Sequence, residues 1–215
     1  MTTKLNDLLI IQFAKWPVLG NVKTRLASSL GDEKALYVHL ELMTEVLKKL
    51  ISMKEEGLKA DIALWLNEIS DDPRYMEEIL TTVQQQNIAL KEQKGRNLGD
   101  KMANAIADSL ARYSRVIIVG SDCPNISVAA LRAGSQALKD HSVVMGPAED
   151  GGYVLIGASN FNKEIFKDVN WGKGEVLKKT VNNLKELNIS YALLDESWDV
   201  DDLADYTRWC AGKNK

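Results

Sequence analysis

Short apolar, β-rich runs alternate along this chain with longer stretches whose apolar residues recur every three or four positions, and this alternation constrains the fold more than any single motif. Parallel strands cannot be joined by a tight turn. They need a crossover of roughly a dozen residues or more, usually a helix. Residues 8–13, Leu-Leu-Ile-Ile-Gln-Phe, have no polar face and read as a buried strand. A helix is expected over 33–53, where Leu36, Leu40, Met43, Leu47, Leu50 and Ile51 form one stripe of core residues. A strand over 61–66 follows, then a helix opened by Asp72-Pro73 as cap and first helical position. After a strand near 88–92, Met102, Ile106, Leu110 and Tyr113 mark another helix. Val116-Ile117-Ile118-Val119 is the clearest strand, and 127–138 returns as a helix. A helix over 175–187, a strand over 190–194 and a helix over 201–210 complete the series.

The expected architecture is α/β, a three-layer α/β/α arrangement around a mostly parallel sheet. Residues 142–145 and 153–157 are both strand-like, but only seven residues lie between them, so one of the two should run antiparallel. No linker, repeat or low-complexity segment interrupts the pattern, which predicts a single domain over 1–215. A chain of 215 residues can bury a full core. Its 27 Lys+Arg against 30 Asp+Glu give a net charge of −3, with no concentrated basic stripe, so no nucleic-acid partner is expected. No apolar run approaches the roughly 20 residues that span a bilayer. The first seven residues lack a basic head followed by an apolar run, and the only cysteines are Cys123 and Cys210. A soluble, cytoplasmic protein without disulfide staples or membrane partner is the expectation.

In open α/β sheets ligands bind beyond the carboxyl ends of the strands, so the loops leaving those ends are where chemistry should lie. The first, 13–25, brings Lys15, Lys23, Arg25 and Thr24 together on flexible backbone, a combination that suits a polyanionic phosphate. A solvated surface loop is the plainer alternative. Neither a Walker loop nor Gly-x-Gly-x-x-Gly is present. The second, Gly120-Ser121-Asp122-Cys123-Pro124, puts a carboxylate directly after an apolar strand, where a divalent cation could compensate it. The alternative makes Asp122 a turn former or cap for the next helix. Asp122 is expected to bear charge for a ligand and not to support the core. Cys123 as a nucleophile is disfavoured, because His39 and His141 belong by position to packing and surface. The third, Gly146-Pro147-Ala148-Glu149-Asp150-Gly151-Gly152-Tyr153, offers close backbone approach and two carboxylates, or simply a tight reversal. Near the end, Asp199, Asp201 and Asp202 could supply a second metal carboxylate or only a helix start.

Together these segments resemble a bacterial and archaeal family of nucleotide-diphospho-sugar transferase-like proteins, the radical-SAM/selenodomain-associated transferases. The pattern Phe-Ala-Lys-x-Pro-x-x-Gly-x-Val-Lys-Thr-Arg-Leu matches 13–26, Gly-x-x-Leu-Gly-x-x-Met matches 95–102, and Gly-Ser-Asp-Cys-Pro matches 120–124. Pro-Ala-x-Asp-Gly-Gly-Tyr at 147–153, Trp171 and Asp-x-Asp at 199–201 extend the match over nearly the whole chain. The resemblance implies a Rossmann-like GT-A fold and kinship with the guanylyltransferases acting on molybdenum cofactor and phospholactate. It implies that Phe13, Ala14, Lys15, Gly20, Lys23, Thr24 and Arg25, with Gly99 and Ser121, hold the nucleotide. Asp122 with Asp199 or Asp201 would bind Mg²⁺ or Mn²⁺, and Pro147, Asp150, Gly151, Gly152, Tyr153 and Trp171 would face the acceptor. Lys23, Asp122 and Asp150 are the expected catalytic groups, Asp150 as a general base or acceptor anchor. The chain departs from the pattern at Arg96-Asn97, at Gly172-Lys173-Gly174 and in 199–203.

The expected function is metal-dependent transfer from an activated nucleotide, a nucleoside triphosphate or a nucleotide-sugar, to a small-molecule acceptor. The basic side chains and a divalent cation would neutralise the diphosphate leaving group. The rival is a nucleotide or nucleotide-sugar binding protein without turnover.

Overall fold

The most apolar segments of the chain lie at the centre of one sheet, where helices cover both faces. In the computed structural model, which describes residues 7–213, β1 (Leu8–Ala14) is buried at every position. The segment 1–6, on which most of the leader expectation rests, lies outside the described residues. β1 pairs in parallel with β2 (Asp61–Leu66) and with β4 (Arg115–Gly120), and β3 (Ala89–Glu92) adds in parallel to β2. Beyond β4 lie β6 (Tyr153–Ala158), β5 (Val143–Pro147) and β7 (Tyr191–Leu193), in the order β3-β2-β1-β4-β6-β5-β7. Among these strands β6 alone runs against its neighbours, pairing antiparallel with β4 and β5. The short connector between β5 and β6 therefore does what its length requires.

Side-chain alternation along β1 feeds two cores. Leu8 and Ile10 join Met43, Val46, Leu47 and Leu50 of α2 (Asp32–Glu55) on one face, together with α3 (Glu77–Gln85) and α5 (Val128–Ala137). Leu9, Ile11 and Phe13 join Met102, Ala105 and Ile106 of α4 (Leu98–Leu110) and Leu184 of α6 (Val176–Glu186) on the other. A short 3-10 turn, Lys163–Phe166, completes that second layer. A third, small cluster of Leu26, Val38, Leu42, Val200 and Trp209 fastens α1 (Thr24–Leu30) and α7 (Leu203–Lys213) to α2.

Two segments differ from expectation. Helix α3 begins only at Glu77, with Met76 in the cap position, so Asp72-Pro73 does not open it. Asp72 instead accepts from the Arg74 amide at 3.3 Å and pairs with its guanidinium, a local turn that competes with helix initiation. Residues 24–30, of which 24 and 25 fall in the expected loop 13–25 and the rest carry no expected element, form a short helix that a single buried residue, Leu26, holds down. Ser127, not Asp122, caps α5, its side chain accepting from the Ala130 amide at 3.1 Å. That removes the capping alternative for Asp122.

Candidate functional site

A cleft of about 560 Å³ opens over the carboxyl ends of β1 to β5, where the strand order reverses between β1 and β4. Phe13, Ala14 and Lys15 form its floor at the end of β1. Lys15 is exposed, and its carbonyl accepts from His39 Nε2 at 2.9 Å. Since a carbonyl only accepts, that nitrogen carries the ring proton. Burial lowers the His39 pKa below 6.5, against the opposing pull of Asp122. His39 does belong to packing, at 3% exposed, yet it also lines the cleft.

Lys23 adopts a left-handed backbone, φ 50°, at the start of α1, which turns its side chain inward. Its ammonium is 2.5 Å from Asp122 Oδ2, with the side chain only 3% exposed. It also donates to the Val200 carbonyl at 2.6 Å, while the Val200 amide donates to the Asp122 carbonyl at 2.9 Å. Burial alone would raise the Asp122 pKa, but the Lys23 ammonium together with His39 and Lys15 outweighs it and holds the carboxyl below the usual range. Asp122 is thus the neutralising partner of a buried lysine as well as a cleft residue, a structural duty that the sequence did not reveal.

Thr24, Ser121, Asp199 and Asp201 line the same side. Arg25 points outward and pairs with Asp201 at 2.8 Å, outside the cleft lining. The Ser121 hydroxyl donates to the Phe13 carbonyl at 2.9 Å and accepts from Gln12 Nε2 at 3.1 Å, so it ties β4 to β1. Gly20, at φ 79°, shapes the turn beside Asp32 and does not reach the cleft. Burial pushes the Asp199 carboxyl up to about 6, and Asp150 and Asp122 add repulsion. Among the described residues no three His, Cys, Asp or Glu side chains form a cluster that could by itself hold a metal ion.

On the opposite side, Asp150 Oδ1 accepts from the Gly152 amide at 2.8 Å, closing the β5–β6 turn while the residue lines the cleft. The tight reversal is there, but of the two carboxylates only Asp150 lines the cleft, because Glu149 pairs with Arg208 at 2.8 Å. Gly151, at φ 84°, lies outside the lining, and a Cβ there would collide with the Gly174 carbonyl. Pro147 is buried at a bulge opposite Tyr153. Tyr153 meets Trp171 edge-on at 6.4 Å, and Trp171 meets Phe166 at 5.7 Å. Gly99 seats Trp171, since a Cβ there would stand 2.6 Å from the indole ring. It supports the Trp171 wall from behind and does not line the cleft.

Several lining residues had no local signal: Asn67, Gln93, Arg96, Lys101 and Lys173 come from loops or helix starts after three different strands. Cys123 is 1% exposed and its thiol is raised by burial, which agrees with the weighting against a cysteine nucleophile.

A family model described as "Uncharacterized protein conserved in bacteria (DUF2064)" matches residues 55–173, more than half of the chain. The chain is similar, at 27% identity and a TM-score of 0.84, to a candidate nucleotide-diphospho-sugar transferase from Desulfovibrio desulfuricans G20, over 98% of this chain and 90% of that one. A nucleotidyl transferase from Methanothermobacter matches at 13% identity and TM-score 0.62, over 96% and 97% of the two chains. A CMP:2-keto-3-deoxy-manno-octonic acid synthetase complexed with CTP matches at 10% and 0.58, over 97% and 100%. These last two share the fold. No curated protein matches the chain significantly. Among the described residues no helix is long and apolar enough to cross a membrane.

Proposed function

We propose that this chain, which belongs to the DUF2064 family, is a transferase that draws on an activated nucleotide and a divalent cation. One observation carries it. Lys23, Asp122 and Asp199 line one cleft at the reversal of strand order, beside the exposed Lys15 and the first turn of α1. Lys15, Thr24 and the backbone of 13–24 bind phosphates, and Lys23 adds its charge when it turns from Asp122 toward them. Asp122 and Asp199 suit Mg²⁺ or Mn²⁺, because two carboxylates plus phosphate oxygens satisfy such an ion and their mutual repulsion falls when it binds. Asp201, already paired with Arg25, stands aside from that pair. When bound, the cation neutralises the diphosphate leaving group. Asp150 anchors the acceptor or takes its proton through the carboxylate oxygen that the Gly152 amide does not engage. The cations after β1 favour a nucleoside triphosphate, hence nucleotidyl transfer, over a nucleotide-sugar.

A binder without turnover has one observation in its favour: Lys23 and Arg25 are both neutralised within the chain. Thermal melts with nucleoside triphosphates and nucleotide-sugars test the assignment. A ligand at a hundredfold excess over its Kd adds about 2.7 kcal/mol, worth several degrees for a chain of this size. The shift should appear with Mg²⁺ or Mn²⁺ and shrink with chelator. Absence of a shift with every nucleotide, with or without metal, rules the transferase out, and a shift without product over hours leaves the binder.

A further inference from the structure

Resting on the transferase assignment, we infer that the acceptor is an anion carried on an apolar, ring-like body, and that it lies between the start of α4 and the Trp171 loop. Two features of that half of the cleft point there. The first is its lining. Met102, Ile118 and Ile156, exposed by 4%, 3% and 1%, form a recess with Val176 and the half-buried Trp171. The indole is fixed in place by Gly99 beneath it and by the edges of Tyr153 and Phe166, so its remaining surface is a preformed flat contact. A polyol needs several convergent hydrogen-bonding groups. In this recess the aliphatic side chains offer a sugar nothing to bond, and the buried Tyr153 hydroxyl lies beside Thr180, a residue outside the cleft lining.

The second feature is charge. Arg96, Lys101 and Lys173 line the cleft, and none has a carboxylate or ring partner among the described residues. Lys101 directly precedes Met102 on α4, Arg96 lies just ahead of that helix, and Lys173 follows Trp171 by two residues. Three unpaired cations beside an apolar recess match a ligand with a negative head and an apolar body. Arg96-Asn97 and Gly172-Lys173-Gly174, two of the three places where the sequence departs from the pattern it resembles, supply two of the three charges.

The test uses the full chain, calorimetry and four probes: 1-naphthyl phosphate, 1-naphthol, glucose 1-phosphate and inorganic phosphate. 1-Naphthyl phosphate should bind at least tenfold more tightly than each of the other three, and should still bind when a nucleoside triphosphate with Mg²⁺ saturates the protein. The double variant Lys101→Gln, Lys173→Gln should weaken it about tenfold while leaving the affinity for the triphosphate within twofold. Both side chains lack bonds in the fold, so melting should stay unchanged. Equal or tighter binding of glucose 1-phosphate overturns the inference, as does displacement of 1-naphthyl phosphate by the triphosphate. Triphosphate binding with no binding of 1-naphthyl phosphate also overturns it but leaves the transferase assignment standing. Failure of every nucleotide to bind removes the assignment itself.

Discussion

The two walls of the cleft treat charge in opposite ways. On the wall built by α1 and the 199–201 segment, Lys23 and Arg25 are paired to Asp122 and Asp201, and the backbone of Val200 locks the first pair in place. On the wall built by α4 and the Trp171 loop, Arg96, Lys101 and Lys173 have no such partner, and shape comes from packed rings and a glycine. On the first wall the two cations are neutralised without a ligand, so an anion must compete with bonds already made, while the Asp199 carboxyl still faces the repulsion of Asp150 and Asp122. The second is complete in packing but not in charge.

The largest effect should follow from breaking the first wall. Asp122→Ala strands a buried ammonium, and the loss should be on the order of 2–3 kcal/mol, somewhat below that of a fully buried pair because the Asp122 side chain is 38% exposed. Urea unfolding measures it, and adding Lys23→Met to the same chain should recover most of the loss. A parent-like Asp122→Ala protein would show that the pair is incidental to the fold. Gly99→Ala attacks the second wall through packing alone. The new methyl meets Trp171 at 2.6 Å, and overpacking of this kind should cost about 1–2 kcal/mol and weaken 1-naphthyl phosphate binding while sparing the triphosphate. Equal losses for both ligands would mean that the walls are not separable.

A smaller effect concerns pH. Burial lowers His39 below its unfolded value of 6.5, with Asp122 and the hydrogen bond to the Lys15 carbonyl opposing and the Lys23 charge reinforcing. The unfolded chain therefore takes up the proton first, so stability is whole above pH 6.5 and falls as pH drops toward the folded pKa. His39→Gln should flatten that fall in melts recorded between pH 7 and pH 5, and an unchanged slope would assign the acid sensitivity elsewhere. Least of all should Arg25→Ala matter to stability. Its side chain is 65% exposed, so the pair with Asp201 should be worth roughly 0.5 kcal/mol or less, and a loss above 1 kcal/mol would make the outer pair as structural as the inner one.

How much of this the sequence disclosed depends on the range of the interaction. β1 and β4 were legible because strands covered on both faces must be apolar throughout, and the antiparallel β6 was legible because seven residues cannot make a crossover. Helix α1 was not, since one buried leucine gives no periodicity to detect. The cap at Asp72 was misplaced because Arg74, two residues on, captures the carboxylate that a helix would have used. The cleft's loops were legible as strand ends, but the partnership of Lys23 with Asp122 depends on a left-handed backbone at residue 23 that no neighbouring glycine announces. Arg96, Lys101 and Lys173 reach one cleft from separate segments of the fold and carry no pattern of their own.

The tie from Lys23 to the Val200 carbonyl spans 177 positions of the chain, and Val200 is fully buried. During synthesis the Lys23 ammonium therefore gains this second acceptor only after residue 200 has left the ribosome. An emerging chain can form β1 to β4 and bring Asp122 to Lys23 while the bond from that ammonium to the Val200 carbonyl is still missing. Completion of the cleft is in this sense a report that translation has passed Val200.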